Sequence, residues 1–201
     1  MSEIAKRIDA IIKEDLAPLL RNEGFKKKAR YFYRGHENRI ALINIQASKW
    51  NEGNEGQFTV NVGVYYPEIE KVTDALPVNG LPKEFDCTIR ERIGHLSQDT
   101  KDMWWKINSS SNDAEVSENV ANHVKDLCLP WLDVMSSLDD VKDYIAKNNR
   151  AFMAAGIALF QGNRDEASAY IEQALEQQSL AKSKINSWSK KHGFAQAQLN
   201  D

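Results

Sequence analysis

Two short stretches of the chain carry the side chains best suited to binding chemistry. In TIRERIGHL, a β-strand would place Arg90 and Arg92 on one face, because successive side chains of a strand alternate. In MWWKIN, the same alternation puts Trp104 and Lys106 opposite the apolar Trp105. Guanidinium groups stack on indole rings, and Arg and Trp are enriched at protein interfaces. We therefore predict a binding surface made of Arg90, Arg92, Trp104 and Lys106; the alternative is that a C-terminal helix covers Trp104.

The first of these stretches also contains residues that an enzyme would use. His95 follows the two arginines, and a small-molecule or nucleotide-handling enzyme would use Arg90, Arg92 and His95 in a cleft at the end of the sheet. A histidine clustered with carboxylates in one pocket would favour that alternative. The sequence has no GxSxG elbow, no Gly-rich phosphate loop and no HExxH motif. We predict no catalytic residue and expect a binding protein rather than an enzyme.

Metal, cofactor and membrane sites have no support in the sequence. The two cysteines, Cys87 and Cys128, lie far apart and lack the spacing of metal ligands, so we expect free thiols in a reducing cytoplasm and no metal site. No cofactor is predicted. The first twenty residues are interrupted by charges, which is atypical of a signal peptide or a membrane span. We therefore expect a cytoplasmic protein without a membrane partner.

One segment has the composition of a nucleic-acid surface. KKKARYFYR, residues 26–34, mixes cations with aromatic rings, as single-strand binding platforms do. In a strand, however, Tyr31 and Tyr33 face away from Arg30 and Arg34, and the three lysines suit a protected edge strand. The net charge of −3 provides no general attraction for nucleic acid. A weak nucleic-acid binder remains an alternative, but we do not expect a nucleic-acid partner.

Hydrophobic periodicity predicts an α+β fold. Apolar residues between Ile4 and Leu20 recur at helical spacing, with Pro18 predicted to kink the helix or start a new turn. Five runs with a period of two follow, which predicts a curved antiparallel sheet of about five strands. From Asn112 onward the pattern is helical, and we expect this C-terminal helical segment to pack on the sheet. A single final helix is predicted from Arg164 towards Lys191.

We predict three parts of the chain. Residues 1–111 form a domain of helix and sheet; residues 112–193 form a helical segment with a repeat-like hairpin, integral to the same fold; and residues 194–201 form a frayed tail. The hairpin sequence AAGIALFQGNRDEASAYIEQAL, residues 154–175, resembles one tetratricopeptide repeat in the spacing of its small residues. Because a single repeat cannot bury its own faces, we expect a hairpin packed within its domain and no solenoid.

A second resemblance covers residues 4–107. The order GFKKKARYFYR, INIQASKW, FTVNVGVY, CTIRERIGHL and WWKI is similar to the uncharacterised bacterial family called domain of unknown function 4304. The resemblance implies an N-terminal helix, a curved antiparallel sheet and following helices. It implies no established reaction, although small bacterial domains of this kind also occur as immunity proteins beside toxins. We therefore expect a cytosolic protein that binds another protein, as an immunity protein for a toxin or as an adaptor; its oligomeric state stays open.

Overall fold

A computed structural model describes residues 2–74, 78–177 and 179–194. Of the predicted frayed tail, residues 195–201 lie outside the described residues. Among the described residues, no helix is both long enough and apolar enough to cross a membrane.

The sheet contains six strands in the described part of the chain. They are β1 (Lys26–Lys28), β2 (Tyr31–Gly35), β3 (Ile40–Ala47), β4 (Gly56–Tyr65), β5 (Ile89–Arg92) and β6 (Trp105–Ile107). Their order is β1-β2-β3-β4-β5, β6 pairs with a second part of β4, and every pairing is antiparallel. The α+β class and the antiparallel sheet are confirmed; the added strand is the lysine segment β1, which lies at the edge of the sheet.

Along the chain, two helices precede the strands, one lies between β4 and β5, and the others follow β6. They are α1 (Glu3–Ile11), α2 (Ala17–Asn22), α3 (Pro67–Val72), α4 (Asp113–His123), α5 (Leu129–Val134), α6 (Leu138–Lys147), α7 (Ala151–Phe160), α8 (Arg164–Gln177) and α9 (Lys182–Lys191). Short 3₁₀ turns occur at Glu84–Asp86, Ile93–Leu96 and Ser179–Ala181. Two predictions were wrong here. The fourth strand is limited to β5 because the 3₁₀ turn at Ile93 ends its pairing, and the single final helix is two helices, α8 and α9.

Contacts divide the chain into two compact units. The first is Met1–Tyr66 with Val78–Val134, and it contains the sheet, α1, α2, α4 and α5. The second is Pro67–Pro77 with Met135–Asp201, and it contains α3 and α6 to α9. This division places the first helices after residue 111 with the sheet, whereas the sequence pattern suggested a boundary at that residue.

The core of the first unit lies on one face of β4. Alternate side chains of this strand are buried on that face: Phe58, Val60, Val62 and Val64. The helices that cover them present buried residues at helical spacing, including Ile4, Ile8, Ile11, Leu16, Val120, Val124 and Leu132. Trp105 continues this face from β6, stacks on Phe58 at 5.7 Å between ring centroids, and is only 8% exposed. Trp105 therefore belongs to the core, on the face opposite Lys106, as the strand alternation predicts.

A wide turn in the first helix has an identifiable cause. Between α1 and α2 the backbone forms a π-helical turn, Ile12–Leu16, two residues before Pro18. Proline lacks an N–H and clashes with the preceding turn, so a local change of helical pitch relieves it. The buried hydroxyl of Ser117 enters this turn: it donates to the Ile11 carbonyl at 2.9 Å and accepts from the Asp15 amide at 3.2 Å. A side chain from α4 thus satisfies the backbone groups that the π turn frees.

The same arrangement recurs on the facing helix. Between α4 and α5 a second π turn, Val124–Cys128, lies two residues before Pro130. In both places a π turn lets the chain stay helical on either side of the proline that follows.

The second unit is a small helical assembly. Helices α7 and α8 form the predicted hairpin; its likeness to a tetratricopeptide repeat stays a prediction. Lys142 of α6, which is 6% exposed, donates to the side chains of Asp139, Gln161 and Glu166 and so joins three helix ends. Burial alone would lower the pKa of Lys142, but its bonds to Glu166 and Asp139 raise the pKa above its ordinary value.

Candidate functional site: a cationic stripe beside a polar groove

The strand register aligns the four residues predicted to bind. Along β4, Lys106 is opposite Gln57, Arg92 is opposite Asn61 and Arg90 is opposite Gly63. Trp104 directly precedes β6 and faces away from its buried neighbour Trp105. The four residues therefore follow one another along the outer side of β4, on the sheet face opposite α1, α2, α4 and α5, in the order Lys106, Trp104, Arg92, Arg90. We call this row the stripe; it runs along seven residues of β4, from Gln57 to Gly63, or about 20 Å.

The centre of the stripe is a preorganised cluster. The guanidinium carbon of Arg92 lies 5.4 Å from the centroid of the Trp104 ring. Both side chains donate to one carboxylate oxygen of Asp102, each at 2.8 Å. Burial opposes ionisation of Asp102, but the bonds from Trp104 and Arg92 outweigh it and hold the pKa of this carboxyl below its ordinary value. The stacked Arg–Trp pair therefore has a fixed geometry before any partner binds.

A glycine permits this geometry. A Cβ on Gly94 would lie 2.0 Å from the carbonyl oxygen of Lys101 and 2.6 Å from the amide nitrogen of Met103. The chain that carries Asp102 thus runs directly against the backbone at Gly94. The hydroxyl of Thr59 on β4 then donates to the Met103 carbonyl at 2.7 Å and fixes the end of that segment just before Trp104.

A groove of about 390 Å³ runs beside the two arginines. Its lining is polar throughout and consists of Gln46, Asn61, Glu84, Arg90, Glu91, Arg92 and His95. The buried amide of Asn61 donates to Asn44 at 3.1 Å and to Gln46 at 2.9 Å, so these amides are ordered by one another. A lining of amides, cations and carboxylates suits a polar ligand or a polar segment of a protein and does not suit an apolar one.

His95 meets a carboxylate in this groove. Its Nδ1 lies 3.3 Å from Oε2 of Glu91, and both side chains line the groove with Arg90 and Arg92. This is the histidine and carboxylate cluster named above as favouring an enzyme. The imidazole is half exposed.

One end of the polar face is closed by the 3₁₀ turn Glu84–Asp86. The hydroxyl of Tyr31 donates to Glu84, and burial, together with this bond, raises the pKa of Tyr31. Cys87 lies there over Gly63, where an added Cβ would meet its sulfur at 2.7 Å. Strand alternation extended back from Ile89 would place Cys87 on the face of Ile89, but β5 begins only at Ile89, so Cys87 lies outside the regular alternation.

The two ends of the stripe carry cations without an ion pair. Among the described residues, neither Arg90 nor Lys106 has a carboxylate within ion-pair distance, whereas Arg92 is paired with Asp102. Lys106 does not line the groove; it lines a separate hollow of about 630 Å³ together with Trp50. Trp50 is 80% exposed, and no sequence pattern indicates it, because it lies in a loop without periodicity.

The segment considered for nucleic acid is occupied by internal contacts. Arg30 bonds to Asp9 at 2.6 Å, and Arg34 stacks on Phe25 at 4.8 Å. Tyr31 and Tyr33 stack on each other at 5.8 Å, on the opposite face of β2. Arg30 and Arg34 thus face away from these two rings, as predicted, whereas Lys26 and Lys28 of β1 pair with Tyr33 and Tyr31 and share their face.

The part of the chain that the structure describes contains no group of three or more His, Cys, Asp or Glu side chains placed to hold a metal ion. Cys87 and Cys128 are both buried free thiols. Burial raises the pKa of the Cys128 thiol well above its ordinary range.

Comparison with known proteins identifies the family. Residues 16–134 match the model of a family described as a domain of unknown function (DUF4304). The chain belongs to this family. The DUF4304 match starts later than the predicted resemblance and continues to Val134, the last residue of the first unit, so it includes α4, α5 and every residue of the stripe. No curated protein and no solved structure matches the chain.

Proposed function

We propose that this DUF4304 protein is a cytoplasmic, non-enzymatic bacterial protein that binds another protein through the stripe. The observation that carries the proposal is the row of Lys106, Trp104, Arg92 and Arg90 on one face of the sheet. Trp and Arg are the residue types that contribute most at protein interfaces. A fixed Arg–Trp stack loses little conformational entropy on binding, which favours affinity.

The charges on the stripe define the kind of partner. Arg90 and Lys106 are exposed cations at either end, and the half-buried Trp104 lies between them. A partner segment with one acidic group on each side of an apolar side chain would complement this arrangement. An acidic toxin that an immunity protein neutralises, or the acidic segment of a client bound by an adaptor, fits this description.

The proposal is tested by photo-crosslinking from the stripe. A photoreactive amino acid is placed at Trp104 and, as a control, at the exposed Lys13 on the helical face. In the native cytoplasm we expect one protein adduct specific to position 104, which mass spectrometry identifies.

The identified protein is then purified and titrated against variants. Arg90→Ala and Trp104→Ala should each weaken binding about tenfold or more, the loss typical of an interface hot spot. Lys13→Ala should bind as the unmodified chain does. Equal crosslinking at both positions, or full affinity in both stripe variants, would contradict the proposal.

A second candidate function is supported by the His95–Glu91 pair. In the groove, His95 would act as a general base oriented by Glu91, while Arg90 and Arg92 would hold an anionic substrate. A screen of phosphate and carboxylate esters tests this candidate. Turnover that His95→Gln abolishes and Lys106→Ala leaves unchanged would favour the enzyme over the binding protein.

A further inference from the structure

A rigid loop presents an exposed tryptophan between β3 and β4. The side chain of Asn51 accepts from the amide of Gln57 at 2.8 Å and donates to its carbonyl at 3.0 Å. Glu52 and Glu55 exchange two backbone hydrogen bonds, at 3.1 and 3.0 Å. Trp50 is therefore held 80% exposed by a loop whose conformation is fixed. A large apolar ring held in water on an ordered loop is typical of an interface residue.

The loop is also fixed to the first helix. The amide of Ile4 donates to the Gly53 carbonyl at 3.3 Å, and Arg7 donates to the Asn54 carbonyl at 3.5 Å. The guanidinium of Arg7 further bonds both oxygens of Asp113, at 2.7 to 2.9 Å. These contacts order the loop before it binds anything, which lowers the entropic cost of association.

Four exposed charges, two of each sign, lie next to the ring or line the hollow with it: Lys49, Lys106, Glu52 and Glu55. Within the described ranges none of the four forms an ion pair, and the Lys49 ammonium instead lies 4.8 Å from the centroid of the Trp50 ring. Unpaired charges of both signs on a single patch are complementary to the same patch on a second copy, rotated by a two-fold axis.

The surface beside the ring can receive it. Trp50, Glu52, Glu55 and Lys106 all line the hollow of about 630 Å³, whose lining also includes Gly53 and Gly56. No heavy atom lies within 4 Å of the place where a Cβ on Gly53 would be, so the backbone at Gly53 is open to a flat ring. We propose that this Trp50 patch is a self-association surface, in which the Trp50 ring of each copy enters the hollow of the other and the lysines of one copy pair with the glutamates of the other.

The size of the contact sets its strength. A tryptophan side chain buries at most about 250 Å², so two of them supply only part of the roughly 1,200 to 2,000 Å² of a stable interface. The dimer is therefore weak and depends on concentration. The inference is independent of the proposed function, except that Lys106 belongs to both surfaces.

Sedimentation equilibrium of the purified chain tests the proposal. Between about 10 µM and 1 mM, the average mass of the unmodified chain should rise from that of the 22.8 kDa monomer towards twice that value. Trp50→Ala should stay monomeric throughout. Arg90→Glu, which changes the stripe outside the patch, should associate as the unmodified chain does.

Reversing the charges of the patch provides the decisive test. K49E/K106E and E52K/E55K each give the patch a single sign, so each should stay monomeric alone, and an equimolar mixture of the two should associate. Circular dichroism and the melting temperature verify that each variant is folded. If the unmodified chain remains monomeric up to about 1 mM, the proposal is overturned, and the patch would then be a binding surface for a different protein. The proposal is also overturned if Trp50→Ala associates. It is overturned as well if the mixture of the two charge variants associates no more than each variant does alone.

Discussion

Replacing Ser117 by alanine tests the explanation of the first π turn. Ser117 is 1% exposed, and its hydroxyl is the partner of both the Ile11 carbonyl and the Asp15 amide. A buried backbone group without a partner costs about 1 to 3 kcal/mol. The helix can regain part of this free energy if the Asp15 amide donates directly to the Ile11 carbonyl. The nearby Pro18 opposes the regular helical geometry that this bond requires. We therefore expect a loss of about 2 kcal/mol in the free energy of unfolding.

Ser189 is the matched control. It is also a buried serine, but its hydroxyl donates at 2.8 Å to the Ile185 carbonyl of its own helix. That carbonyl has a backbone donor without the hydroxyl, so Ser189→Ala should change stability by less than about 0.5 kcal/mol. Urea unfolding followed by circular dichroism gives both values, and hydrogen exchange reports the Asp15 amide. Equal losses in the two variants, with the Asp15 amide still protected in Ser117→Ala, would refute the reasoning.

Three further predictions concern the sheet and its cysteines. Trp105→Ala should lose about 3 to 5 kcal/mol by opening a cavity, whereas Trp104→Ala should lose about 1 kcal/mol; equal denaturant midpoints for the two would contradict the assignment of their faces. Because the folded-state pKa of Asp102 is lowered, the stabilisation from its ion pair is present above the pKa of the unfolded state and is lost as pH falls through the folded value. Tryptophan fluorescence should therefore change below about pH 3.8 in the unmodified chain and not in Asp102→Asn. Neither a chelator nor a reductant should move the melting temperature, and a large fall with either would reveal a metal or disulfide that the described residues do not show.

The sequence predicts the faces of strands well because side-chain alternation is local. Trp105 lies in β6, and the alternation of that strand continues to its direct neighbour Trp104, so the two residues face opposite sides. The alternation does not reach Cys87, because this residue directly follows the 3₁₀ turn Glu84–Asp86 and lies two positions before β5. The break between α8 and α9 has no glycine or proline to mark it, so periodicity alone extended one helix across it.

The arrangement of the site depends on contacts that are distant in sequence. Pairing of β4 with both β5 and β6 aligns the four residues of the stripe, and no local pattern encodes that register. The Asp102 carboxylate that joins Arg92 to Trp104 is positioned by the close backbone approach at Gly94. Trp50 was missed because exposure in a loop follows from tertiary packing and not from spacing.

Fluorine NMR of the stripe with its partner tests the central claim most directly. The five tryptophans of the chain are labelled as 5-fluorotryptophan and assigned by single replacement with phenylalanine. When the crosslinked partner protein is added, the Trp104 resonance should shift or broaden in proportion to the bound fraction, while the buried Trp105 and Trp188 change little. A Trp104 resonance that is unaffected at saturation would show that the partner binds elsewhere and would contradict the stripe as the interface.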